Sequence, residues 1–164
     1  MERLKSLFFF LLRITIGWHF LYEGLTKLFA QGWSSAGYLK GSYGFLSVFY
    51  HTLGISSGLL PIIDFINIWG LILIGAGLFL GIMIRISAVS GILMLLLYYF
   101  AYPPFGAQSL LMTQEGHFWI INRNLIEAMA LGVLFFIPGK EYSLMNLFKL
   151  KKTAEPSPAG GEKD

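Results

Sequence analysis

Four apolar runs alternate with turn-rich segments along the chain. The first covers about residues 7–29. The second, 62–84, opens just behind Pro61, a residue suited to a helix's first turn. The third, 86–102, stops before the Pro103–Pro104 breaker, and the fourth, 118–137, stops before Pro138–Gly139. Each holds roughly 17 to 23 residues, enough at 1.5 Å per residue to cross a hydrocarbon core of about 30 Å. The pattern predicts an all-α fold, an integral-membrane four-helix bundle forming one domain over residues 1–148. Residues 149–164 follow as a basic stretch and then a Pro/Gly/Ser-rich cytoplasmic tail whose composition predicts disorder.

The first run is not uniformly apolar. Stepped at about 100° per residue, His19, Glu23 and Lys27 climb one side of the predicted helix, with Arg13, Gly17 and Gly24 beside them. Ile14, Trp18, Leu21, Tyr22, Leu25, Leu28 and Phe29 take the other side. That arrangement gives a lipid face and a protein face, and the glycines admit a close neighbour. The fourth run repeats it, with Arg123, Asn124 and Glu127 on one broad face and Ile126, Met129, Val133 and Ile137 elsewhere. The second run adds Asp64 and Asn67 one turn apart; Gly70, Gly77 and Gly81 read as packing sites.

Between the first two runs lie 30 residues, 31–60, with Lys40 as their one formal charge and six glycines. Trp33, Tyr38, Tyr43, Phe45, Phe49 and Tyr50 predict an interfacial lid or an aromatic belt. The helical spacing of Leu46, Phe49, Tyr50 and Leu53 predicts a short helix lying along the membrane surface.

Composition supports a lipid environment. Of 164 residues, 55% are hydrophobic and only 13% charged, against about 25% charged in soluble domains. The formal charge of +3 gathers at Arg3 and Lys5, at Arg85 and Lys140, and at Lys149, Lys151 and Lys152. The positive-inside rule then places both termini in the cytoplasm. No basic stripe interleaved with exposed aromatics is present, which argues against nucleic acid as a partner. Arg13 interrupts the N-terminal apolar run and no small-residue cleavage site follows, so that run reads as a retained helix.

The chain contains no cysteine, excluding an internal disulfide, a thiol redox centre and a cysteine-ligated iron–sulfur cluster of its own. A haem held between two histidines is disfavoured, because His19, His51 and His117 fall at unmatched depths. No metal-ligand spacing recurs, and no covalently bound cofactor is expected.

Two readings of the polar groups stay open. In one, Glu23–Lys27 and Glu127–Arg123 are i,i+4 ion pairs that hold the helices in register. In the other, the groups line a cavity that binds a small or quinone-like molecule or moves protons. Their number in so small a bundle favours the site, since ionisable groups within a membrane usually mark function. On that reading Glu127, Glu23 and His19 are the proton-exchanging candidates. Arg123, Lys27, Asn124, Asp64, Asn67 and Arg13 are the substrate-binding set, and Trp18, Phe20 and Tyr98 the aromatics against which a quinone would lie. For Arg13 both snorkelling and inward pairing are open. A small proton-coupled transporter is a weaker alternative, because four helices without a broken-helix pattern would need to oligomerise.

The order Arg13, Gly17-Trp18, Phe20, Gly24, Lys27-Leu28 resembles the first-helix signature of the DoxX/DoxD-like membrane proteins. "GAGLFLGIMIRISA", "YYFAYPPFG", "NRNLIEAMAL" and "IPGKEYSL" are similar to later segments of that family, so the likeness spans residues 5–148. It implies a small four-helix protein of the bacterial inner membrane. It also implies a role as subunit of a quinone-linked oxidoreductase with a thiosulfate- or thiol-type donor, working with a partner redox subunit or as a homo-oligomer. The positions that carry over are Arg13, Gly17, Gly24, Lys27, Arg85, Asn124 and Glu127. A non-catalytic module that anchors or assembles a partner complex is the alternative.

Overall fold

A computed structural model describes residues 2–104, 117–118 and 120–137. The predicted tail, 149–164, lies outside the described residues. The elements in order are α1 (Glu2–Phe29), α2 (Ala36–Lys40), α3 (Ser47–Ile55), α4 (Leu60–Leu80), α5 (Ile84–Ala101), β1 (His117–Phe118), β2 (Ile121–Asn122) and α6 (Arg123–Phe136). The protein is thus mostly helical, with one two-stranded antiparallel hairpin pairing His117 with Asn122 and Phe118 with Ile121.

Among the described residues three helices, α1, α4 and α5, are long and apolar enough to cross a membrane. The fourth is shorter than the 118–137 expected. It has 14 residues, or about 21 Å of helix, because Phe118, Ile121 and Asn122 of the predicted run belong to the hairpin and the cap. Asn122 is buried there, and its Oδ1 accepts the Leu125 N–H at 3.0 Å, which fixes the helix start.

The second run also ends early, at Leu80 rather than residue 84. Gly81 takes the left-handed conformation at φ 72°, its N–H reaching Leu78 O while Ile82 N–H reaches Gly77 O. This is a Schellman stop, and Gly81 is therefore a cap rather than a packing site. Gly70 does pack, against Met94 of α5.

Glycines decide how α1 meets α4. A Cβ on Gly17 would stand 2.7 Å from Phe79 N, and one on Gly24 2.9 Å from Ile72 N. Gly75, not singled out from the sequence, faces them: its Cβ would lie 2.8 Å from Gly17 O and 2.7 Å from Leu21 Cα. The two backbones touch along this seam. α5 and α6 form the second closely packed pair, and α1 meets α6 only sparingly. Ile16 and Phe20, Leu71, Ile74 and Leu78, Ala88 and Leu95, and Leu131 and Leu134 fill the core from all four helices.

Outward positions are apolar as expected: Trp18, Tyr22 and Phe29 on α1 and Ile126, Met129 and Val133 on α6 are exposed, a surface suited to lipid. The segment between α1 and α4 folds over one end of the bundle as a lid. The expected surface helix is α3, whose Tyr50 is buried while Val48, Phe49 and Ile55 are exposed. Tyr50 OH donates to Leu97 O at 2.9 Å, Tyr43 N–H to Ala101 O at 3.1 Å, and Tyr102 OH to Tyr38 O at 2.8 Å. Gly44, at φ 96°, lies against the Pro103 ring.

Candidate functional site

Beneath the lid lies a cavity of about 300 Å³. His19, Glu23 and Lys27, spaced one turn apart on α1, supply one wall. Asn67 of α4, Tyr98 of α5, and Arg123 and Asn124 of α6 close the others, Phe20 and Leu71 add an apolar patch, and Trp33, Ser35 and Tyr38 form the roof.

Lys27 is the most heavily held group. Its Nζ lies 3.1 Å from Glu23 Oε2 and donates to Asn67 Oδ1 at 3.1 Å and to Tyr98 OH at 3.5 Å. The same ammonium sits over Trp33 and Tyr98, 5.2 and 5.4 Å from the ring centroids, within the range of cation–π attraction. Asn67 Nδ2 donates to Tyr98 OH at 2.7 Å. The Tyr98 hydroxyl thus accepts from two donors and keeps its own proton to give.

Across the cavity, His19 Nδ1 meets Glu127 Oε1 at 2.7 Å. Glu127 thereby pairs with α1, 108 residues away in sequence, rather than with Arg123 one turn before it. The expected Glu23–Lys27 pair is present. With Nδ1–H given to the carboxylate, the imidazole's other nitrogen is the position at which a proton can be gained or lost.

Asp64 does not line the cavity. It fastens the roof instead, its Oδ1 accepting both the Ser35 N–H at 2.8 Å and the Ser35 hydroxyl. Asp64→Ala should leave the buried Ser35 groups unmatched, at a cost of about 1.5–3 kcal/mol for lost bonds to a charged acceptor. Hydrogen exchange over residues 33–42 should quicken about tenfold while α4 and α5 stay protected; unchanged lid exchange would refute the clasp.

Two other expected site residues stand apart. Arg13 is 1% exposed, its guanidinium 5.4 Å from the Phe10 ring centroid; it turns inward, which overturns snorkelling, but it lines neither this cavity nor its neighbour. Trp18 is 54% exposed and packs beside Tyr22 and Phe79, away from the cavity. Conversely, Ser35, Trp33 and Tyr38 belong to the site although only the lid's aromatic richness hinted at it. Burial beside Tyr98 and Tyr102 raises the Tyr38 hydroxyl above the usual phenol range, so it remains a proton donor, reaching Tyr98 O at 3.3 Å. Among the described residues no three histidine or acidic side chains are grouped to hold a metal.

The fold and site define a helical, multi-pass membrane protein with a lidded polar cavity between its helices. Its family follows from the sequence: the chain belongs to the DoxX family, whose model matches residues 8–103. No curated protein and no solved structure matches it. The match includes most of α1, the lid, α4 and α5; Arg123, Asn124 and Glu127 lie beyond it.

Proposed function

We propose that this protein is the membrane subunit of a quinone-linked redox system. The supporting observation is the single cavity that gathers Lys27, Arg123, Glu23 and His19, with His19 bonded to Glu127. Two fixed cations against one carboxylate favour an anionic guest, and the tyrosine and imidazole groups supply protons. A thiosulfate- or thiol-type donor is the guest the family likeness suggests. Two such sulfur groups give up two electrons as an S–S bond forms; the quinone takes up two electrons and two protons. His19 and Glu127 relay protons to it, and Arg123 and Lys27 hold the donor. With no cysteine in the chain, donor and quinone meet directly or a partner subunit carries the electrons between them. In this reading α6 with its flanking residues makes a fourth crossing of the bacterial inner membrane, both termini are cytoplasmic, and the lid faces outward.

The test is donor-dependent quinone reduction by purified protein in nanodiscs. Arg123→Gln should raise the donor KM about tenfold, the equivalent of one weakened charge contact, and flatten its salt dependence. An unchanged KM removes Arg123 from donor binding. Absence of turnover with any sulfur donor, alone or with co-purifying subunits, refutes the redox reading.

A second reading rests on one observation. Every charge on α1 within the cavity already has a protein partner, and the His19–Glu127 bond spans two helices that otherwise touch little. Such a latch suits an anchor or assembly module for a partner complex.

A further inference from the structure

A second space opens on the far side of the His19–Glu127 bond. It is a cleft of about 520 Å³ between α1 and α6, lined by Leu12, Thr15, Ile16, Ile126 and Ala130, with His19, Arg123 and Glu127 set into that lining. His19 and Arg123 line the lidded cavity as well, so the two spaces meet at these side chains.

The two spaces differ in charge. The cavity sets Lys27 and Arg123 against Glu23, a surplus of positive charge. The cleft sets Arg123 against Glu127, formally balanced when His19 is neutral. A small anion belongs in the first; a phosphate headgroup pressed into the second would confront the Glu127 carboxylate. A bare acyl chain there would leave three polar groups against hydrocarbon, which is costly. The lining suits a neutral head that accepts hydrogen bonds, carried on an apolar chain.

We infer that the α1–α6 cleft binds the ring and tail of a lipid-soluble, carbonyl-bearing molecule of the quinone class, entering sideways from the bilayer. The inference rests on the redox reading above and assigns its two substrates to two different mouths. Arg123 donates to a ring carbonyl, the free His19 nitrogen accepts from a hydroxyl of the reduced ring, and the chain lies along Leu12, Ile16, Ile126 and Ala130. The site is bifacial: the donor and the quinone approach the same His19 from opposite sides.

Equilibrium binding in nanodiscs tests it, with a quinone bearing a long isoprenoid tail and the same ring bearing a methyl group instead. Ala130→Phe fills the cleft; Val133→Phe adds the same ring to the same helix at an exposed position outside the cleft. Ala130→Phe should raise the Kd of the tailed quinone about tenfold, the equivalent of roughly two methylene groups displaced from apolar surroundings. The tailless ring should bind as before, and Val133→Phe should change neither. Equal weakening of both probes, or of neither, overturns the inference. So does a bilayer phospholipid that co-purifies with the native protein, is lost from Ala130→Phe, and cannot be displaced by the tailed quinone. Thr15→Phe fills the opposite wall and gives the same readout should Ala130→Phe fail to fold. If tailed quinone binds as described but no sulfur donor reduces it, the redox reading falls and the cleft stands. If reduction proceeds and neither cleft variant alters tailed binding, the cleft falls and the redox reading stands.

Discussion

Gly75→Ala should loosen the bundle by about 3 kcal/mol, the upper part of the usual overpacking range. The reason is what the added methyl would meet. On most helix surfaces a new Cβ displaces a side chain that can rotate away. At position 75 it would stand 2.7 Å from Leu21 Cα and 2.8 Å from Gly17 O, both backbone atoms. α1 and α4 must therefore separate, and the seam at Gly17 and Gly24 opens with them. Thermal unfolding in detergent should show a midpoint lowered by several degrees. Gly132→Ala is the matched control: among the described residues nothing lies within 4 Å of its Cβ on α6, so the usual helix preference for alanine should leave stability equal or slightly raised. Equal midpoints for the two variants would show that the seam is not a close contact.

Glu127→Gln should lower quinone reduction about 100-fold, the lower bound for removing a positioned proton carrier. The amide oxygen can still accept the His19 Nδ1–H, so the α1–α6 connection keeps its geometry while the carboxylate loses its capacity to take a proton. Stability should change by less than about 1 kcal/mol, the scale of an ordinary hydrogen bond. The opposite pattern, a clear loss of unfolding free energy with normal assembly of any partner and no activity to lose, would favour the latch.

Much of this arrangement could be read from spacing. The apolar runs located α1, α4 and α5 to within a few residues at most ends, and the stepping of His19, Glu23 and Lys27 identified the inward flank of α1. The i,i+4 pair Glu23–Lys27 is local and therefore legible. What escaped depended on partners far away in the chain. Nothing about Glu127's neighbours in sequence names His19, since Arg123 offers an equally suitable charge one turn away. Gly75 and Gly81 sit in the same glycine-rich stretch, yet one meets a neighbouring backbone and the other ends a helix; local composition is the same for both roles. Asn122 could have been suspected as a cap, but it lies within an apolar run long enough to read as continuous helix. The division into a charged cavity and a neutral cleft was hidden for a further reason: it depends on which side of one imidazole each helix passes.

The glycine seam also divides the bundle mechanically. With backbone against backbone, α1 and α4 behave as a single stiff plank, and the lid is bolted to it through Asp64. His19, Glu23, Lys27 and Asn67 therefore keep fixed mutual positions. Compliance is left to the line where α1 faces α6, bridged among the described residues by the His19–Glu127 hydrogen bond. A guest that widens the cleft works against that bond, so the joint between α1 and α6 is also the place where the His19–Glu127 proton is held.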